Sequence, residues 1–375
     1  MNKNEMFHYV GNCLALDEKP EVRAAILEKI REGRINWNHF VTLCSNHLVL
    51  PAIYLKFRDH NILADLPEEL ADHLQEIYTL NVTRNKQIIE QVTQIAATLA
   101  QNDIYPIFLK GSANLLDNVY SDHGERILAD IDFLVREEDF FPAAQLMLDK
   151  GYKYSDPKYF HDYIDIASEK HYPRLHHPEF VAEIEIHRIP TDAKYTNWFH
   201  SEMINRDKKQ LASLCGCYVP SDRNKIIHNF VHSQLSNEGY LFGRMSLREA
   251  YDLYLYSRRY KLVETLPHIK PKRKAIAYFA LCRSMLGLDE TFFPLKNFAS
   301  RVLALKFALN QKSTVFYHTN RSVIFIIQRV IGGYFGQLIQ ATYSKEKRQY
   351  LLRRIKDPKW YGDHIGLYTR FFNRR

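Results

Sequence analysis

The chain lacks the phosphate-binding loops of the commonest nucleotide enzymes. No G-x-x-x-x-G-K-[ST] run occurs in it, nor an H-R-D or D-F-G set, which excludes P-loop and protein-kinase designs. Cysteine is scarce: the five, at positions 13, 44, 215, 217 and 282, are odd in number and scattered, against a disulfide framework. Cys215 and Cys217 have one residue between them where zinc pairs have two or more, so reduced thiols are expected. His228 and His232 stand at i, i+4 in HNFVH, but the Glu of H-E-x-x-H is missing. A core or substrate-lining pair is favoured there over a zinc site. The longest apolar stretch, SVIFIIQRVIGGYFGQLIQATY, is broken by Gln328, Arg329 and Gln337 and falls short of a membrane span. The first residues, MNKNEMFHYVGNC, have no basic region leading into an apolar one, so no secretory signal is expected. The expectation is a cytoplasmic protein without stable membrane insertion.

What is present is periodic. The 375 residues, 46% of them apolar, suffice for about two domains. Up to residue 102 the pattern is helical, with Ile88, Ile89, Val92, Ile95, Ala96 and Leu99 on one stripe. The period then switches: strand 104–109, helix 112–120, strand 127–135, helix 138–150 and a hairpin around His177, Pro178 and Glu179 give a β-α-β-α-β-β order closing near 190. Beyond 205 it is helical again, with Ile226, Ile227, Phe230, Val231 and Leu235 in one segment and Leu247, Ala250, Tyr251, Leu253 and Tyr254 in the next. This predicts an α+β chain with an N-terminal helical region (1–102), a mixed core (103–204) and a C-terminal helical region (205–375). Without a repeat or a low-complexity linker, the helical parts are expected to pack onto the core.

Two carboxylates stand one residue apart in ILADIDFLV. Alternate residues of a strand face the same side, so Asp130 and Asp132 converge on one spot. Two anions so close repel unless a cation lies between them, and hard oxygen ligands suit Mg²⁺ carrying a phosphate. Removing either acid from the metal-free protein should therefore relieve strain. In FVAEIEIHR (180–188), Glu183, Glu185 and His187 share one face while Ile184 and Ile186 pack. If this strand lies beside the first, Glu185 reaches the same site. Glu183 reads as a flanking solvated acid. His187 either bonds a carboxylate or holds substrate. Ahead of the acids, IYPIFLKGSANLL reads as strand, turn and helix: Gly111 permits close backbone approach, Ser112 is a good N-cap, and Lys110 adds positive charge.

The ordered set resembles the nucleotidyltransferase superfamily related to DNA polymerase β, and more closely a bacterial family of uncharacterised nucleotidyltransferases. The carrying residues are Lys110-Gly111, Arg126 four residues before Asp130-Ile131-Asp132, and Glu185-Ile186-His187. The segments WNHFVTLCSNHLVLPAIYLKF, IIHNFVHSQL and LREAYDLYLYS extend the likeness over most of residues 35–260. The gap from Gly111 to Asp130 is wider than in many polymerase-like members. The resemblance implies a polymerase β-like core and transfer of an NMP from an NTP, ATP first, to a hydroxyl or phosphate with loss of pyrophosphate. In that mechanism Asp130, Asp132 and Glu185 hold Mg²⁺, Glu185 also accepting the acceptor's proton. Lys110, Gly111, Ser112 and Arg126 grip the triphosphate, with His187 beside them. A nucleotide-binding module without activity and an ATP-dependent phosphotransferase are the alternatives.

Charge is uneven. Residues 301–375 hold 15 Lys or Arg against three acids, which leaves the first 300 at net −4 within the chain's +8. The basic part, with KEKRQYLLRRIK and a final FFNRR, could meet RNA, anionic lipid or glycan. A solvated helix face explains it at least as well, with Tyr350, Leu351, Leu352 and Ile355 packing between the charges. No RNA-binding motif is present, so a small-molecule, glycan or peptide acceptor is expected ahead of RNA.

Overall fold

The computed structural model describes residues 1–156, 169–211, 216–327, 335–359 and 361–362. Helices α1 (Lys3–Leu14), α2 (Pro20–Arg31), α3 (Trp37–Asn46) and α4 (Leu50–Asp59) precede α5, which runs unbroken from Glu68 to Ala100. Strand β1 (Ile107–Phe108), α6 (Lys110–Leu116), β2 (Asp130–Leu134), α7 (Phe140–Asp149), β3 (Lys153–Tyr154), β4 (Leu175–His176) and β5 (Glu183–His187) follow. Then come α8 (Ser201–Arg206), β6 (Lys209–Gln210), β7 (Tyr218–Val219), α9 (Asp222–Phe230), α10 (Gly239–Phe242), α11 (Leu247–Ser257), α12 (Leu262–Thr265) and α13 (Lys272–Met285). The chain is α+β, and its strands form one mixed sheet in the order β3-β4-β5-β2-β1-β7-β6.

Two apolar cores support the site. Phe108, Ile131, Phe133, Ile184 and Ile186 pack from one face of the sheet against Ile88, Val92, Ile95 and Leu99 of α5. Ile107, Leu109 and Leu134 point to the other face and join a core that brings the N-terminal helices together with residues 199–307, with Phe7, Phe40 and Phe57 in one cluster with Phe230, Tyr251 and Phe279. Helix α5 serves both: Leu70 and Leu74 of its first half lie in the helical core, and its second half lies under the sheet. At 1.5 Å per residue it is about 50 Å long, enough to span the two.

Residues 1–307 form one compact unit. The sheet draws β6 and β7 from beyond 204, where periodicity gave only helix; two-residue strands are too short to show a period. The helix expected through Leu235 ends at Phe230 and continues as a π-helical turn, Val231–Ser236. Among the described residues no single helix is long and apolar enough to cross a membrane. Helices α3 and α4 would be so only together, and they meet at 120°.

Residues 308–375 form a second compact unit, whose described helices are Thr314–Ile327, Gly336–Tyr343 and Lys345–Ile355. Its own packing leaves Leu352 and Ile355 more than half exposed, against the expectation that they pack between the charges. Lys347 and Arg354 do lie over the Tyr350 ring, at 5.1 and 4.5 Å. Part of the apolar stretch 322–343, the final FFNRR and Cys215 lie outside the described residues.

Candidate functional site

Strands β2 and β5 run parallel and in register, pairing Asp130 with Glu183, Asp132 with Glu185 and Leu134 with His187. The alternation that buries Ile131, Phe133, Ile184 and Ile186 on one face turns Asp132, Glu185 and His187 to the other. All three are nearly inaccessible, at 2%, 4% and 1% exposure, whereas Asp130 at the strand's start is only partly covered. A ligand atom from each of Asp132, Glu185 and His187 fits within 4.8 Å of the others.

Buried carboxylates so close need compensation: Lys110 and Arg174 supply charge, and His187 a hydrogen-bonding ring. Lys110 Nζ lies 2.6 Å from Asp132 Oδ1 and 3.9 Å from Glu185 Oε2. His187 Nε2 lies 2.9 Å from Asp132 Oδ1 and 3.3 Å from Glu185 Oε2. Arg174, which the sequence did not point to, spans the acids from outside, with Nε 2.5 Å from Glu185 Oε1 and Nη2 3.3 Å from Asp130 Oδ2. Burial alone would raise the Asp132 pKa, but Lys110 and His187 outweigh it and hold it well below the usual range. For Glu185 burial is likewise overcome, chiefly by the hydrogen bond with His187, and its pKa falls to about 2. Asp130 goes the other way, raised by burial and by Asp132 beside it. Glu183, paired only loosely with Arg174 at 3.6 Å, is the flanking acid expected.

The turn before the acids differs in detail. The N-cap of α6 is Leu109, and Ser112 sits inside the first turn, its hydroxyl donating to the Leu109 carbonyl at 2.9 Å. That hydroxyl is buried and spent on main chain. Lys110 has φ +51°, a left-handed conformation uncommon outside glycine. It is strained backbone that swings its ammonium onto Asp132. Gly111 lines the cleft, and a Cβ there would stand 3.0 Å from Leu128 Cδ2.

The wide gap between turn and acids is bridged from α5. Asn81 donates to the Gly124 carbonyl at 2.7 Å, Asn85 to the Arg126 carbonyl at 2.8 Å, and Tyr78 OH to Asp122 Oδ2 at 2.9 Å. Gly124 packs so tightly on α5 that a Cβ would meet Tyr78 and Val82 at 2.5 Å. Gln91 braces the chain entering β5, donating to the Ala182 carbonyl at 2.9 Å.

Opposite the acids stands a second wall from α9, the π-helical turn and α11, and the two enclose a cleft of about 220 Å³. Arg126 lines it but is committed: Nη2 and Nε meet Asp252 at 3.0 and 3.1 Å, and Asp252 also accepts from Tyr120 OH at 3.0 Å. His228 and His232 both line it. His232 Nδ1 lies 3.1 Å from Glu249 Oε1. Burial, with Lys110 nearby, pushes the His228 pKa well down, so its ring is neutral. Lys225 pairs with Asp117, yet burial still lowers its pKa to about 8. Arg248 lines the same wall.

The structure thus brings together Lys110, Gly111, Arg126, Asp130, Asp132, Glu185 and His187, and leaves the Ser112 hydroxyl behind them. Arg248, Glu249 and Asp252 could have been found: they are the charges in LREAYDLYLYS, a helix otherwise apolar on almost every side. The π-helical turn is a second signal, since such turns gather at functional sites.

A model of the family of uncharacterised nucleotidyltransferases matches residues 33–293, which takes in both walls of the cleft. Neither a search of curated proteins nor one of solved structures found a match.

Proposed function

We propose, since this chain belongs to that nucleotidyltransferase family and is an enzyme transferring nucleotidyl groups, that it moves an NMP from an NTP, ATP first, to an acceptor hydroxyl or phosphate. The acceptor oxygen attacks the α-phosphorus as any proton it carries passes to water, the bond to the bridging oxygen breaks, and pyrophosphate leaves with the electron pair. The observation that carries this is the in-register pairing of Asp132 with Glu185, with Asp130 at the cleft's edge. A polymerase β-like core is the fold reading that goes with it.

The donor set fits a divalent cation. Asp130, Asp132 and Glu185 offer hard oxygens, and two protein cations, Lys110 and Arg174, lie where an ion would sit against them. When bound, Mg²⁺ would polarise the α-phosphate and make the acceptor hydroxyl more acidic. Lys110 and Arg174, relieved of part of their load, then face the reacting phosphates, and the Gly111 backbone lets the nucleotide close on the turn. Glu185 suits the ligand role better than that of proton acceptor, because a carboxylate with a pKa of about 2 takes up a proton weakly near neutrality.

A small-molecule, glycan or peptide acceptor fits better than RNA. Tyr256 is the lone Phe, Tyr or Trp among the described residues lining the cleft, whereas single-stranded RNA is gripped by stacking its bases on several such rings. Incubating the protein with each α-labelled NTP, Mg²⁺ and a cell extract tests the reading. A labelled product of low mass or peptide size supports it, and label on RNA overturns the acceptor class.

A further inference from the structure

We infer that Arg248 is the receptor for the polyphosphate tail of the bound nucleotide, a role that rests on the nucleotidyl-transfer reading above. The Ser112 hydroxyl, expected to grip that tail, is buried against the Leu109 carbonyl, so the grip needs another donor. Every other cation of the cleft is engaged. Lys110 and Arg174 lie on the acids, Arg126 on Asp252 and Lys225 on Asp117. Arg248 differs. No carboxylate among the described residues lies within ion-pair distance of its guanidinium, and its Nε is buried without a hydrogen-bond partner.

The two nearby acids are already taken. Asp252 receives both Arg126 and Tyr120, and Glu249 is bonded to His232. Burial, with Arg126 close by, lowers the Arg248 pKa against the pull of Asp252 and Glu249, neither of which pairs with it. A buried guanidinium donor left unpaired is costly, and a phosphate is the anion whose geometry its fork of N–H groups matches. Arg248 lines the cleft whose far wall carries Asp130 and Asp132. A nucleotide held between the walls would have its α-phosphate at the acids and its tail on the guanidinium. The site is thus polarised, metal-binding on the sheet and tail-binding on α11.

Calorimetric titration of the full chain in Mg²⁺ with AMP, ADP, ATP and inorganic tripolyphosphate tests this. In the unaltered protein affinity should rise from AMP to ADP to ATP. In Arg248→Ala it should fall about 10- to 100-fold for ATP and tripolyphosphate while AMP changes less than about twofold, the loss expected for charge-assisted bonds to a phosphate. Arg248→Lys should recover part of the loss, because it keeps the charge and loses the fork. The melting temperature of Arg248→Ala should hold or rise, since an unpaired cation beside Arg126 is removed. Should that variant unfold, Arg248→Gln is titrated in its place with the same criteria. Unchanged affinity for ATP and tripolyphosphate, or equal losses for AMP and ATP, would overturn the assignment. Absence of ATP binding by the unaltered protein is a separate outcome, which overturns the nucleotidyl-transfer reading and this inference with it.

Discussion

Lys110 Nζ stands 2.6 Å from Asp132 Oδ1, so the more deeply buried acid of the D-x-D pair holds a protein cation. The two acids of the pair are therefore not equivalent. Asp132 is stabilised by Lys110 and His187, whereas Asp130 is raised by burial and repelled by Asp132. Asp132→Asn should lower the melting temperature, by roughly 3 kcal/mol of stability, since breaking a buried pair strands its partner. Asp130→Asn should hold or raise it. Thermal melts of both variants in EDTA check this, and equal shifts would contradict it. The sequence suggested relief of strain from either substitution; the difference comes from Lys110 and His187, which both contact Asp132.

The protein cations on the acids should compete with an added metal. Arg174→Ala removes the guanidinium that spans Asp130 and Glu185. Affinity for Mg²⁺ or Mn²⁺ should then rise about tenfold, the worth of one charge-assisted hydrogen bond. Calorimetric titration with the metal alone reads this directly, and weaker binding would mean that Arg174 supports the metal site.

Acid should dismantle the site from the Glu185 side. Its folded pKa, about 2, lies below the 4.5 of a free glutamate. A carboxylate lowered in the folded state contributes stability that is present above its unfolded pKa and lost as pH falls through the folded one. That contribution should fade between pH 4.5 and about 2. Urea midpoints measured across that window should drop more steeply for the unaltered protein than for Glu185→Gln. Parallel curves would contradict the Glu185–His187 contact.

Much of the site was legible because strands impose a strict period of two. Asp130, Asp132, Glu185 and His187 fell on one face by alternation alone, and the register of β2 and β5 places them as that pattern required. Arg174 was hidden because it stands just before a two-residue strand, in a stretch with no period of its own. Ser112 is not the N-cap because helix α6 begins two residues earlier than the Gly-Ser pair suggests, at a lysine in a left-handed conformation. Asn81, Asn85 and Gln91 look like a solvated helix face in sequence, yet they are buried bonds to the loops that enter β2 and β5. Such partners lie 41 to 91 residues away, beyond any local pattern.

The basic second unit offers a control on the acceptor. Replacing Lys347, Arg348, Arg353 and Arg354 together with Gln should leave product formation and its shallow salt dependence unchanged, because a small or peptide acceptor meets few of these charges. A steep salt slope on total RNA that the fourfold variant loses would reverse this, since release of counter-ions grows with the phosphates neutralised.

The most direct measurement compares ATP labelled at the α-phosphorus with ATP labelled at the γ-phosphorus, each with Mg²⁺, extract and either the unaltered protein or Asp132→Asn. Acceptor labelling should come from the α position alone, pyrophosphate should carry the γ label, and neither event should occur in Asp132→Asn. Acceptor labelling from the γ position, or α-label transfer undiminished in Asp132→Asn, would contradict this.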